Sequence, residues 1–200
     1  MRITILDYGV GNLYSLRKAL ERRGAEARVS KMLPSEAESD GLILPGVGSF
    51  SAAAKKLAPV KPGLLDLAEG GRPILGVCLG MQLFLDRSEE GPGAGLGLMP
   101  GEVVRLPLGV KVPHIGWNQL VSERPSPLTD GVDEGAWAYF VHSYYPRPRD
   151  PEVVVTRASY GVEFPAVLAS KNLFGTQFHP EKSSVAGARI LQNFLSLCRR

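Results

Sequence analysis

A short apolar run meets a glycine-flanked cysteine in Pro73-Ile74-Leu75-Gly76-Val77-Cys78-Leu79-Gly80-Met81-Gln82. The pattern predicts a buried strand that turns sharply into a helix, with the thiol of Cys78 at the turn. Gly76 and Gly80 would let the strand and the helix approach closely. The positive end of the helix would favour a thiolate. Taken alone, the run also fits a buried structural cysteine.

The segments before this run alternate between strands and helices. Apolar runs predict strands, and apolar residues at helical spacing predict helices. Strands are expected over 2–6, 25–29, 42–44 and 74–77, with helices over 12–23, 49–57 and 63–69. This order predicts an α/β fold with a parallel sheet and helices on both faces.

The second half of the chain predicts a different arrangement. Glycine and proline dominate residues 91–101, which indicates turns. Further strands are expected over 103–106, 117–121, 137–142, 153–157, 164–169 and 173–178. Few helices lie between them, so this half should be antiparallel or mixed, closed by a helix over 184–199. One domain over 1–200 fits best.

Composition excludes several classes of function. The net charge is only +3 and the basic residues are scattered, so nucleic-acid binding has little support. No apolar run is long enough to span a bilayer. The two cysteines, Cys78 and Cys198, are too few for a disulfide framework. We therefore expect a cytoplasmic protein with a free thiol at Cys78.

A base and an acid stand close together near the end of the chain, in Gln177-Phe178-His179-Pro180-Glu181. Pro180 favours an extended backbone at His179, in which residues two apart point to the same side. Glu181 could then orient the imidazole while its other nitrogen faces Cys78. By itself this segment fits a surface turn. Combined with Cys78 it supplies a nucleophile, a base and an orienting acid, as amide hydrolysis requires.

Two backbone N–H groups are candidates to bind an oxyanion. One belongs to Leu79, directly after the cysteine. The other is that of Val47, in a glycine-rich loop at 45–48 that also follows a strand. A helix cap is an equally good interpretation of this loop.

Other candidate sites have less support. The loop at 9–11 resembles a dinucleotide-binding turn but has Tyr14 in place of the third glycine, and the loop at 45–48 has Ser51 there. The remaining histidines, His114 and His142, do not form a close metal-ligand pair. No metal and no cofactor are expected.

The segments at 76–82 and 179–181 together resemble the class I glutamine amidotransferases of the triad type. Segments at 7–13, 45–50, 113–118, 139–144 and 175–182 are similar to the glutaminase subunits of imidazole glycerol phosphate synthase. The resemblance covers essentially the whole chain. It implies a three-layer, flavodoxin-like fold and a triad of Cys78, His179 and Glu181 that hydrolyses glutamine through a thioester.

The resemblance also implies binding roles. Val47 and Leu79 would hold the oxyanion. The substrate would be held by Gly48, Gln82, Ser143 and Tyr144. A separate cyclase subunit, a (β/α)8 barrel, would use the ammonia for histidine biosynthesis. Residues facing it would be Asn12, Trp117, Tyr139 and Lys182.

Three alternatives stay open. A cysteine-variant α/β hydrolase would share the turn at Cys78 and would use Asp130, Asp133 or Glu134 as its acid. A scaffold without activity would only bind a partner. An amidotransferase serving another synthase would differ only in the segments that face its partner.

Overall fold

The computed structural model describes residues 1–35 and 37–199. The described strands are β1 (Arg2–Leu6), β2 (Glu26–Ser30), β3 (Gly41–Leu44), β4 (Ile74–Val77), β5 (Arg87–Ser88), β6 (Gly91–Ala94), β7 (Gly101–Arg105), β8 (His114–Gln119), β9 (Val121–Ser122), β10 (Trp137–His142), β11 (Tyr144–Pro148), β12 (Val154–Ser159), β13 (Glu163–Ser170) and β14 (Leu173–Thr176). The α-helices are α1 (Leu13–Glu21), α2 (Phe50–Leu57), α3 (Lys61–Glu69), α4 (Leu79–Gln82) and α5 (Ser184–Leu197). Short 3-10 turns lie at Ala58–Val60, Pro151–Val153 and Pro180–Lys182.

A large central sheet has the strand order β2-β1-β3-β4-β14-β13-β12-β9. The first five strands are parallel, and the last three continue antiparallel. The predicted α/β class, with a mostly parallel sheet and an antiparallel second half, is therefore confirmed. Parallel neighbours end at the same edge, so β4 and β14 deliver the residues that follow them to one place.

Two layers of helices cover the sheet, because its buried side chains alternate between its faces. On one face, α1 and α5 pack against Ile5, Ile43 and Val77. On the other, α2 and α3 pack against Leu42 and Leu44. Burying each such aliphatic side chain contributes about 1.5–3 kcal/mol. The result is the expected three-layer architecture.

Two glycines allow the turn at Cys78 to pack closely. A Cβ on Gly76 would lie 2.6 Å from the Met81 amide nitrogen, and one on Gly80 would lie 1.8 Å from the Leu44 carbonyl oxygen. Any side chain at either position would push α4 away from the sheet. The close approach predicted for this turn is observed, although the helix that follows is only one turn long, Leu79–Gln82.

The structure corrects the expectation of turns alone over 91–101. There β6 pairs with β5 in a second sheet of order β11-β7-β5-β6. Two of the four residues of β6 are glycine, and backbone pairing does not require side chains. Strand β11 was not predicted, because it contains Pro146 and Pro148 and proline argues against a strand. Its place at a sheet edge accommodates them. The strands β8 and β10 pair separately.

Helices of the described residues are all too short or too polar to cross a membrane.

Candidate active site

Cys78 lies at the end of β4, with its side chain buried beneath a pocket. Its backbone has φ +54° and ψ −110°, a left-handed conformation that non-glycine residues rarely adopt. Such a conformation costs on the order of 1–3 kcal/mol and persists only where surrounding packing imposes it. The turn directs the sulfur away from the sheet, as its sequence predicts.

His179 follows β14, which pairs in parallel with β4 in a register that places Thr176 opposite Val77. Its backbone is extended, and Pro180–Lys182 then forms a 3-10 turn. This brings Glu181 back to the imidazole, with 3.0 Å between His179 Nδ1 and Glu181 Oε1. Both side chains are almost fully buried.

Glu181 contacts one imidazole nitrogen of His179, and Cys78 lies close enough to His179 to affect its pKa. Burial opposes protonation of His179, but the interactions with Cys78 and Glu181 outweigh it and raise the pKa to about 10. A protonated imidazole between a thiolate and a carboxylate can donate a proton to a leaving group. The three residues expected as a triad are thus adjacent.

A pocket of about 240 Å³ opens over the sulfur. The residues expected to hold substrate all line it, namely Gly48, Gln82, Ser143 and Tyr144. Val47 and Leu79 line it too. Glu90 and His142 also line the pocket, although their sequence context predicted no role for them here. Nothing near Glu90 in the sequence pointed to the cysteine; only the second sheet brings it there.

The loop that carries Val47 sits against the start of α4. In this structure the Leu79 N–H donates to the Gly46 carbonyl oxygen at 3.3 Å. The Tyr8 hydroxyl donates to the neighbouring Pro45 carbonyl oxygen. Burial, and then the negative charge at Cys78, raise the pKa of Tyr8, so its hydroxyl keeps its proton.

Sequence comparison agrees with this geometry. The family "Glutamine amidotransferase class-I" matches residues 4–198. The chain belongs to the class I glutamine amidotransferase family. Among its relatives is the imidazole glycerol phosphate synthase subunit HisH of Geobacillus thermodenitrificans, 52% identical over 98% of this chain and 95% of the relative. The HisH subunit of Natronomonas pharaonis is 48% identical over 98% and 94%.

Solved structures show the same fold at low identity. The structure of PurLQS from Thermotoga maritima has a TM-score of 0.78 at 22% identity and covers 98% of this chain and 97% of that one. A crystal structure of a glutamine amidotransferase has a TM-score of 0.77 at 22% identity, covering 99% of each chain. These structures show the fold alone, whereas the HisH identities of 48–52% over nearly the whole chain support the predicted glutaminase subunit of imidazole glycerol phosphate synthase.

The amidotransferase places three of its four expected partner-facing residues together. Trp117 and Tyr139 lie opposite each other on β8 and β10, with ring centroids 5.8 Å apart. Lys182 Nζ lies 5.8 Å from the centroid of the Tyr139 ring. Asn12 lies at the start of α1, where its side-chain oxygen accepts from the Ser15 N–H at 3.2 Å.

The acids of the hydrolase alternative lie elsewhere in the amidotransferase. Glu134 accepts from the Ser122 N–H at 3.2 Å, and Asp133 lines a groove beside Trp117. The carboxylate that reaches His179 is that of Glu181. Within residues 1–35 and 37–199, no group of three histidine, cysteine or acidic side chains could hold a metal ion.

Proposed function

We propose that Cys78, His179 and Glu181 are the triad with which this amidotransferase hydrolyses glutamine. One observation carries the proposal: the 3.0 Å contact between His179 Nδ1 and Glu181 Oε1, next to a cysteine held in a left-handed turn. Glu181 fixes the orientation of the imidazole. The other ring nitrogen is then directed at the reacting sulfur.

The reaction proceeds in two halves. The Cys78 thiolate attacks the side-chain carbonyl carbon of glutamine, and the carbonyl electron pair moves to oxygen. His179 gives its proton to the amide nitrogen, which leaves as ammonia with formation of a thioester. Water then attacks the thioester and passes a proton to His179. The carbon–sulfur bond breaks to give glutamate and the thiolate.

The N–H groups of Val47 and Leu79 hold the oxyanion of each tetrahedral intermediate. For Leu79 to do so, the Gly46 carbonyl oxygen must first leave it. Rotation of the peptide between Gly46 and Val47 would remove that carbonyl and turn the Val47 N–H inward. The conformation described here is therefore a resting form, and activity should be low until the partner favours the rotated form.

Glutamine would bind in the pocket over the sulfur. Gly48, Gln82 and the backbone of Ser143 and Tyr144 would hold its polar groups. Among the residues lining the pocket, only Glu90 carries a carboxylate. Its negative charge complements the ammonium group of glutamine, and we assign to Glu90 the role of binding that group.

The ammonia would pass to a cyclase subunit, a (β/α)8 barrel, in a heterodimer. The relatives named above are subunits by their names, and the cluster of Trp117, Tyr139 and Lys182 offers an exposed aromatic surface of the kind that anchors interfaces. Asn12 would complete it. We place the single amidotransferase domain, residues 1–200, in the cytoplasm, where the thiol stays reduced.

Glutamate release tests the proposal. It should be slow with the chain alone and strongly accelerated by a cyclase subunit that carries its nucleotide ligand. Replacing Cys78 by serine should abolish release in both conditions. Release that survives this replacement would overturn the assignment of the nucleophile, and absence of stimulation would overturn the assignment of the partner.

A further inference from the structure

Gln177 is fully buried beside the reacting sulfur, and the mechanism above does not use it. Its side-chain Nε2 lies 3.5 Å from Cys78 Sγ, within hydrogen-bonding distance for sulfur. Its backbone N–H donates to the Ala166 carbonyl oxygen at 2.8 Å, which anchors the residue to β13. The hydrogen bond of its backbone therefore fixes the position from which the Gln177 side chain extends.

The direction of the Gln177 amide follows from its neighbours. The Tyr144 carbonyl oxygen can only accept, and Gln82 Nε2 lies 2.8 Å from it. The same nitrogen lies 3.0 Å from Gln177 Oε1 and donates its second hydrogen there. The oxygen of Gln177 is thus occupied as an acceptor, and its N–H groups are left to face the sulfur.

The next residues along this chain of hydrogen bonds are neutral. His142 Nδ1 lies 2.9 Å from the Tyr144 carbonyl oxygen and must donate to it. Its Nε2 then accepts from His114 Nδ1 at 3.1 Å. Burial lowers the pKa of His142 to about 3 and also lowers that of His114. This series of hydrogen bonds therefore presents oriented dipoles to the sulfur and adds no charge near it.

We propose that Gln177 is a catalytic residue whose amide N–H binds the sulfur of Cys78 and stabilises the thiolate, with Gln82 holding it in the donating orientation. The inference rests on the proposed role of Cys78 as nucleophile. A thiolate accepts hydrogen bonds far better than a thiol does. The thiol has a different partner, the Val141 carbonyl oxygen, 3.6 Å from the sulfur.

This bond acts at two points of the reaction. Before attack it stabilises the thiolate together with His179. A sulfur in a thioester is a poor acceptor, so the bond weakens in the intermediate. When the second tetrahedral intermediate collapses, the carbon–sulfur bond breaks and the sulfur leaves with the electron pair. Gln177 then regains its acceptor, which favours departure of the thiolate.

Alkylation of Cys78 by iodoacetamide as a function of pH tests the proposal. The titratable groups around the sulfur are His179, Tyr8, His142 and Glu90, and a Gln177→Met substitution leaves all of them in place. Methionine has a similar volume but no donor. The pH of half-maximal alkylation should rise by about one unit, which corresponds to about tenfold less thiolate at pH values below both midpoints.

A second substitution and a control keep the test decisive if methionine disturbs folding. Gln177→Glu preserves the shape and the acceptor for Gln82 but places a negative charge at the sulfur, so its midpoint should rise further. Gln192→Met, in α5, should match the wild-type profile. Unchanged profiles in both Gln177 variants would overturn the proposal, even if glutamine hydrolysis fell, since a structural role alone would produce that result.

The readout uses no glutamine and no partner. If wild-type protein failed to release glutamate, the proposed function would fail, whereas the alkylation profiles would still report on Gln177.

Discussion

The N–H group of Leu79 donates to the carbonyl oxygen of Gly46 at 3.3 Å, so a donor expected to bind the oxyanion already has an acceptor. An oxyanion can take its place only after this carbonyl moves. Tyr8 holds the preceding carbonyl, that of Pro45, and the Phe50 N–H donates to Glu90 at 2.5 Å on the other side. Rotation is thereby confined to the four residues between these two contacts.

Gly48 offers the sharpest test of this rotation. Its φ is +103°, and a Cβ built there meets nothing within 4 Å. Alanine at this position would add only backbone strain, about 1–2 kcal/mol, to the resting form. Rotation of the peptide between Gly46 and Val47 changes ψ of Gly46 and φ of Val47, and because the loop is held at both ends we expect Gly48 to leave its positive φ in compensation. Gly48→Ala should then raise the activity of the isolated chain about fivefold. Stimulation by the cyclase subunit should fall correspondingly.

Gly46→Ala would not give a clear answer, since its Cβ would lie 2.8 Å from Leu79 Cβ and would disturb packing directly. Gly109→Ala is a suitable control for backbone strain alone, because Gly109 has φ +94° and open space around it in a distant turn. Steady-state glutamate release with and without the partner provides the comparison. Unchanged stimulation in the Gly48 variant would count against a resting form of this loop.

Glu181→Gln should separate the amidotransferase mechanism from that of a hydrolase using another acid. The amide can still contact His179 Nδ1 but no longer stabilises the imidazolium by charge. We expect kcat for glutamine to fall on the order of 10²-fold, the lower end of general acid–base contributions. Glu134→Gln is the matched control. Equal activities of the two variants would contradict the assignment of Glu181.

The residues of the triad could be predicted from sequence because each is fixed by local rules. A strand, a turn and two glycines place Cys78, and a proline followed directly by an acid places the imidazole of His179. Their proximity follows from the parallel pairing of β4 with β14. That pairing was not predicted, because the second half of the chain was expected to be antiparallel or mixed.

Glu90 and Gln177 could not be assigned in the same way. Glu90 reaches the pocket because β5 and β6 pair in a second sheet, where the glycine-rich sequence indicates only turns. Gln177 stands next to residues of obvious chemistry, but the direction of its amide depends on Gln82, 95 positions away. Long-range pairing and hydrogen-bond direction are properties of the folded chain, and the pattern of apolar residues in the sequence does not predict them.

Glu90→Gln should weaken binding of glutamine more than it slows chemistry. Glutamine at this position keeps an oxygen that can accept from the Phe50 N–H, so the start of α2 stays capped. Loss of the charge opposite the substrate ammonium should raise KM about tenfold, the effect of about 1.4 kcal/mol, with a smaller change in kcat. Glu102→Gln, on an exposed pair with Arg87, is the control. A fall in kcat with unchanged KM would contradict the assignment.

The buried His142 predicts a loss of stability in acid. Its pKa is lowered to about 3 by burial, whereas the unfolded chain takes up a proton near the ordinary value of 6.5. The unfolded state therefore binds more protons at this site between these values, and the contribution of His142 to stability is fully present above about pH 6.5 and declines as pH falls. Asparagine in its place can still donate to Tyr144 but does not titrate.

Denaturant unfolding between pH 6.5 and 5 measures this effect. The free energy of unfolding should decline more steeply with falling pH in the wild type than in His142→Asn. The difference between the two slopes should be at most that produced by the uptake of about one proton on unfolding. His114 contributes in the same direction and remains in both proteins. Parallel declines would show that His142 does not bind its proton preferentially in the unfolded state.

Trp117→Ala should weaken association with the cyclase subunit. The indole is about half exposed, at 48%, and packs edge-on against Tyr139, whose ring lies next to Lys182. Exposed aromatic clusters of this kind provide the few side chains that dominate binding, at about 2 kcal/mol or more each. We expect Kd to rise about thirtyfold in a titration followed by calorimetry. Leu108→Ala removes an apolar side chain that is 92% exposed on a different loop and should leave Kd unchanged. Equal Kd values for the two variants would move the interface away from β8 and β10.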